Sequence, residues 1–389
     1  MNDRKLKFSF WNYVPVSGSS YKRVKDWKEL GINLAMSYVY DPSSSTKEDM
    51  IALLDECKKE EIDVLIYDKR TSFYNLLEKG ETKFREDVRS AYEDFGEHPA
   101  TYGFCLGDEP NFEQVDAFIK TSQIVSEIMP NIHHFGNLLP YFSNKEEQEL
   151  LGRDEKFYFS LLEKIYRNGA FSSLSFDQYR QCYDSYMNQK EGVKHFLYGL
   201  RMFQKASKEF DIPMYVSLLA VRHWNYREPT VDDIRWQLAA SLAHGARGFF
   251  WFYLEGGNHE CAFDDPAIIR DNGEHTPIYD RLRRVERRFQ KAVLPIFDTL
   301  SFQDITYFGD GLMNGYHDDD IDISSNRSLL SFLSHFVDGK GNRYVLLVNG
   351  DQRLSNLYTI AFAGEKKETW ILPGEFVLYD VTNRKEVLL

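Results

Sequence analysis

The chain predicts an α/β fold, a (β/α)8 TIM barrel followed by a small C-terminal antiparallel β-sandwich, and three observations predict it. From Lys5 to about residue 257, short apolar runs alternate with longer amphipathic ones, the pattern of repeated βα units around a parallel sheet. The first of these runs ends in Phe10-Trp11-Asn12-Tyr13, where a doubly wound nucleotide-binding sheet would need a glycine-rich turn. From about residue 298 the pattern changes to β-rich runs separated by turn signals. A chain of 389 residues exceeds the size of a single core, so a barrel over residues 1–297 and a sandwich over 298–389 are expected.

Taken in order, the eight apolar runs are Leu6 to Tyr13, Asn33 to Tyr40, Val64 to Asp68, Thr101 to Leu106, His133 to Leu138, Leu174 to Tyr179, Met214 to Ala220 and Gly248 to Tyr253. Helical periodicity fills the intervals over Lys22 to Leu30, Lys47 to Lys59, Thr82 to Phe95, Phe112 to Ile128, Gly192 to Phe210 and Val231 to His244. A loop with Asp264-Asp265-Pro266 leads into a basic helix, Pro277 to Val293, whose Arg281, Arg283, Arg284, Arg287 and Arg288 read as a solvated, ion-paired face. Strands then follow at Leu329 to Phe336, Tyr344 to Val348, Leu357 to Phe362, Glu368 to Leu372 and Glu375 to Tyr379. Asp338-Gly339 and Asn349-Gly350-Asp351 between them read as hairpin signals.

Composition narrows the function. A net charge of −13, from 60 acidic and 47 basic residues, argues against nucleic acid as a partner, since phosphate backbones are held by clustered Lys and Arg. No run is long and apolar enough to span a membrane. No signal peptide precedes the first strand, so an extracytoplasmic site is expected only if a leader has been removed, and a cytoplasmic one otherwise. Cys57, Cys105, Cys182 and Cys261 are scattered without C-x-x-C spacing, and the histidines include no H-E-x-x-H, so neither a metal nor another cofactor is expected.

The most informative stretch is Thr101-Tyr102-Gly103-Phe104-Cys105-Leu106-Gly107-Asp108-Glu109-Pro110, an apolar strand that stops on two carboxylates and a proline. Barrel enzymes place their chemistry at such strand ends. The other strand ends add Trp11 and Tyr13, Tyr38 and Tyr40, Asp68, Asn137, Asp177 and Tyr179, Trp224, then Trp251, Tyr253 and Glu255. Flat apolar faces among fixed donors and acceptors suit a sugar ring, and make these residues the candidate binders of a carbohydrate substrate. Cleaving a glycosidic bond needs one carboxyl held protonated and a second that attacks, activates water or braces the substrate. Glu109 is the candidate acid, Asp177 and then Glu255 the candidate counterparts, and Asp108 the neighbour that raises the acid's pKa.

On these residues the chain resembles the catalytic barrel of clan A glycoside hydrolases, in which the acid closes the fourth strand in an Asn-Glu-Pro or similar motif. Asp108-Glu109-Pro110 stands in that place, and Trp236 to Gly248 followed by Phe249 to Tyr253 is similar to the last helix and strand of β-galactosidase-like bacterial barrels. The resemblance implies a glycosidase. It also implies a nucleophilic Glu closing the seventh strand, but Met214 to Arg222 carries no carboxylate. The adjacent Asp-Glu resembles the pair of β-hexosaminidases as well, which implies Asp108 orienting a substrate acetamido group with Tyr179 or Tyr253 on its oxygen. A carbohydrate-binding barrel without catalysis, and a metal-dependent hydrolase using Asp68, His134 and Asp177, are the alternatives. Adjacent residues on a regular strand face opposite ways, so the strand end must bend for Asp108 and Glu109 to act together.

Overall fold

The computed structural model describes residues 5–141, 155–256 and 267–388; Cys261 and the Asp264-Asp265-Pro266 loop lie outside them. Eight parallel strands form the first sheet: β1 (Lys7–Phe10), β2 (Leu34–Met36), β3 (Asp63–Ile66), β4 (Thr101–Asp108), β5 (His133–Leu138), β6 (Leu174–Asp177), β7 (Met214–Leu219) and β8 (Gly248–Phe252). They pair in the order β1-β8-β7-β6-β5-β4-β3-β2. Asn33 N–H donating to Phe8 O at 3.2 Å and the Pro15–Val39 bridge join β2 to β1, so the sheet closes into a barrel. The strands fall where the apolar runs do, and most stop short of the polar residues that follow, which leaves those residues at the C-terminal mouth.

The helices between them are α1 (Val24–Leu30), α2 (Lys47–Lys59), α3 (Phe73–Ala91), α4 (Val115–Ile128), α5 (Glu155–Asn168), α6 (Tyr186–Phe210) and α7 (Val231–Ala243). Their starts are set by side-chain caps: Thr46 accepts from Asp49 N–H, and Thr230 with Asp233 forms a capping box. Helix α3 begins at Phe73, well ahead of the expected Thr82, because Ser72 caps it and the kink at Gly80 interrupts the periodicity that would have revealed the first turns. Aromatic rings account for much of the barrel's filling. Phe135 stacks on Phe250 at 5.0 Å and on Tyr215 at 6.5 Å, and Phe8 stacks on Phe249 at 5.2 Å.

The chain divides into two compact units, one of Lys7–Glu228 with Gly248–Asp280, the other containing Pro229–Arg247 and the chain from Arg281 onward. In the second, α7 and the basic helix α8 (Pro277–Phe297) join an antiparallel sandwich. One sheet runs β10 (Gly315–His317), β11 (Ile321–Ser325), β14 (Asn356–Phe362), β15 (Glu365–Ile371). The other runs β17 (Lys385–Leu388), β16 (Phe376–Asp380), β13 (Arg343–Asn349), β12 (Ser331–Val337), β9 (Ser301–Phe308). Ile323, Leu333, Leu347, Tyr358 and Ile360 are among the residues buried between them. The Asp338-Gly339 turn does join the hairpin β12–β13. Asn349-Gly350-Asp351 does not make a hairpin: β13 and β14 lie in different sheets, and Asn349 instead donates its side-chain amide to Leu354 O and Ile371 O, anchoring a crossover.

Candidate active site

The end of β4 bends as the adjacency of Asp108 and Glu109 requires. Gly107 has φ 141° and Glu109 φ 47°, and the pairing of β4 with β5 shifts register between Cys105 and Asp108. Only glycine fits at 107, since a Cβ there would stand 2.3 Å from the Phe73 ring. A left-handed Glu is an unusual backbone state, of the kind that clusters at working sites. Its N–H is held by Asn137 O at 3.1 Å.

Three carboxyl groups converge at this bend. Asn137, buried at the end of β5, donates its side-chain amide to Asp108 Oδ1 and to Asp177 Oδ1, each at 3.0 Å, while its own oxygen accepts from Ser175 Oγ at 2.8 Å. The two aspartate oxygens therefore lie at most about 6 Å apart. Glu109, exposed at the mouth, shares a side-chain hydrogen bond with Asp177. Two carboxyls joined by a hydrogen bond hold one proton between them, so one member is an acid while the other is a carboxylate.

Burial, and then the charge of Asp177, pushes the Asp108 carboxyl up to about 7; burial pushes Asp177 up to about 6 against the hydrogen bonds from Glu109 and Asn137. Several tyrosines feel the same charges. The hydroxyls of Tyr13, Tyr67, Tyr74 and Tyr179 are all raised, first by burial and then by neighbours that include Asp108, Asp177 or Glu109. Tyr74, half-exposed and tilted against Phe73 with ring centroids 4.0 Å apart, is a wall residue that the pattern of strand ends does not offer, because it sits on the first turn of α3.

An aromatic shelf extends from these groups. Tyr179 lies 5.3 Å from Phe252, Phe252 4.8 Å from His223, and His223 stacks on Trp224 at 4.5 Å. Trp224 is 55% exposed and takes φ 49° at the tip of a tight turn closed by hydrogen bonds between His223 and Tyr226. That conformation favours glycine, so a bulky exposed indole there is held at a conformational cost.

The remaining candidates stand elsewhere. Asp68 is fully buried in a bidentate pair with Arg70, which also reaches Asp94 and Ser90, and Tyr40 packs edge-on against Phe95 with the Arg70 guanidinium 5.0 Å from its ring. Trp11 lies in the barrel interior with its indole N–H on Ser217 Oγ at 2.8 Å; Trp251 and Tyr253 are likewise buried. Glu255 forms a second, separate carboxyl site: it accepts from Tyr38 Oη at 2.5 Å, near Trp27, Arg23 and Asp26. The trio of Asp68, His134 and Asp177 is not brought together, His134 being held between Met129 O and Ala170 O. Among the described residues no cluster of His, Cys, Asp or Glu has the arrangement of a metal site.

Comparison with known proteins defines the class of fold. No protein-family model matches the chain, and no curated protein sequence matches it significantly. Solved structures do. A catalytic mutant of Gan42B, a GH42 β-galactosidase from G. stearothermophilus, superposes with a TM-score of 0.63 at 7% identity over 96% of this chain and 98% of that one. The β-galactosidase of Bacillus circulans sp. alkalophilus gives 0.61 at 9% identity with the same coverage. The β-galactosidase of the psychrophilic Marinomonas ef1 gives 0.55 at 11% identity over 75% of this chain, which spans only 60% of that enzyme. The fold is thus the (β/α)8 barrel with a C-terminal β-sandwich, like that of these β-galactosidases, and at these identities the likeness concerns the fold alone.

Proposed function

We propose that the chain is a glycoside hydrolase in which Glu109 is the general acid and base and Asp177 its counterpart. The observation that carries this is the hydrogen bond between Glu109 and Asp177 at the barrel mouth, with Asn137 bracing Asp177 from behind. Protonated Glu109 gives its proton to the glycosidic oxygen, the alcohol leaves, and the Asp177 carboxylate takes the anomeric carbon. Water then attacks that carbon, losing its proton to Glu109 and releasing Asp177. Carboxyl groups in direct contact are too close to hold a water across the sugar ring, which favours retention of configuration. Trp224 and Tyr74 are the exposed rings on which the sugar and its leaving group would stack.

A substrate-assisted reading is favoured by the bend itself, which turns Asp108 toward the same tyrosines as Glu109. In it Asp108 orients an acetamido group and Asp177 is not attacked. One experiment separates the readings: turnover of a panel of aryl glycosides and natural glycans by wild type and by Glu109→Gln, Asp177→Asn and Asp108→Asn, with product anomers followed by NMR. A drop of about 10²-fold or more in both Glu109→Gln and Asp177→Asn, with retention, supports the two-carboxyl mechanism. Activity confined to acetamido sugars and lost in Asp108→Asn favours substrate assistance. No turnover by wild type on any glycan that it binds would make the chain a carbohydrate-binding barrel instead.

A further inference from the structure

The arginine-rich helix takes no part in the barrel site, yet it lines a groove of its own. Arg284 and Arg288 stand one turn apart on α8, beside Val285, Phe289 and Ala292, and with strands β15 and β16 they enclose about 290 Å³. The floor is apolar: Val285, Phe289, Ile371 and Val377 are buried, and Phe376 is half-buried. Trp370 forms one wall, 57% exposed, with the Arg327 guanidinium 5.9 Å from its ring.

The cations of this groove differ in what already occupies them. Arg235 donates to Pro373 O at 2.6 Å and pairs with Asp232. Arg288 lies 3.2 Å from Glu375. Arg284 is exposed at the rim and makes no hydrogen bond or ion pair among the described residues. In a chain of net charge −13, the five arginines between Arg281 and Arg288 create a local positive field that draws anions to this face.

We propose that the groove is a binding site for a small amphipathic carboxylate, its unbranched aliphatic chain on the apolar floor beneath Trp370 and its carboxylate on Arg284. A sugar would need several fixed donors and acceptors, whereas this groove offers hydrocarbon and, among the described residues, the unpaired guanidinium of Arg284. Its volume, at the small end for ligand pockets, suits a short chain.

The test is isothermal titration calorimetry of the full chain with sodium octanoate and with octan-1-ol, repeated on Arg284→Ala and Trp370→Ala. Both side chains are exposed, so both variants are expected to fold, which a melting curve checks. The expected result is one saturable octanoate site, weakened about tenfold by either substitution, with octanol binding at least about tenfold more weakly to wild type. No saturable heat into the millimolar range overturns the site. Equal affinity for octanol and octanoate, or octanoate binding that neither substitution changes, overturns the assigned chemistry, and the first of these comparisons needs no variant.

Discussion

Replacing Glu255 with Gln should free the fold from a charge that it tolerates poorly. The Glu255 side chain is 5% exposed, and burial raises its carboxyl from the ordinary 4.5 to about 7 even though Tyr38, Trp27 and Arg23 all favour the charged form. A folded state that holds the proton more tightly than the unfolded chain is stabilised by it. That stability is fully present below pH 4.5 and is lost as the pH rises through 7. The difference between 4.5 and about 7 corresponds to about 3 kcal/mol. Glutamine keeps an oxygen for the Tyr38 hydroxyl and carries no charge, so the stability of Glu255→Gln relative to wild type should rise by about 3 kcal/mol between pH 4 and pH 8. Equilibrium urea unfolding of both proteins at intervals across that range measures the difference directly. A difference that stays flat within about 1 kcal/mol would refute a buried, protonated Glu255. The same variant should keep turnover, because Glu255 faces Tyr38 and Trp27 rather than Glu109.

Other outcomes follow from the geometry. Trp224→Gly should leave stability unchanged or raise it by up to about 1 kcal/mol, since glycine suits φ 49°, while raising KM by about tenfold through loss of the exposed ring; a thermal melt beside a KM measurement checks both. Gly107→Ala should cost about 1–3 kcal/mol and most of the activity, because its Cβ meets Phe73 and displaces the bend that carries Asp108 and Glu109; denaturation and turnover should fall together. Turnover of wild type should decline below about pH 6 as Asp177 gains a proton, and Asn137→Leu, which removes the donor lowering both aspartates, should move that limb to higher pH in a kcat/KM profile.

Most of the barrel was legible because each strand is an apolar run ended by a polar one, and burial on both faces writes that signal directly into residue type. The sandwich was less so. Its strands β10 and β11 lie among Asp318, Asp319, Asp320 and Asp322, where a turn-rich acidic stretch hides a three-residue strand. Strand β15 reads Glu365 to Ile371 with exposed charges at its start, so only its apolar end could be picked out. Its turn, at Ala363-Gly364 with φ 55° and 88°, carries the left-handed pair that hairpins favour, but with alanine where Asn or Asp would have announced it. Asn-Gly after β13 announced a hairpin that tertiary packing converted into a crossover, because Asn349 spends its amide on Leu354 O and Ile371 O.

At the candidate site, the residue types were visible and their partnerships were not. Asp68 looked like a mouth carboxylate, yet Arg70 two residues on takes both of its oxygens, a pairing that short spacing alone hints at. The missing carboxylate on β7 has a structural counterpart in the layering of the barrel. Alternate strands supply the side chains of one layer, so the ends of β4 and β6 bring Asp108 and Asp177 to one level, and β5 between them must offer a group that satisfies two acids. Asn137 does this with a single amide, aligned by its register opposite Asp108 on one side and Ser175 on the other. A carboxylate on β7 would lie on the far side of Asp177, beyond reach of that amide. The candidate site therefore gathers its acids around β5, and in the proposed mechanism the chemistry runs between Glu109 and a carboxyl that Asn137 already holds.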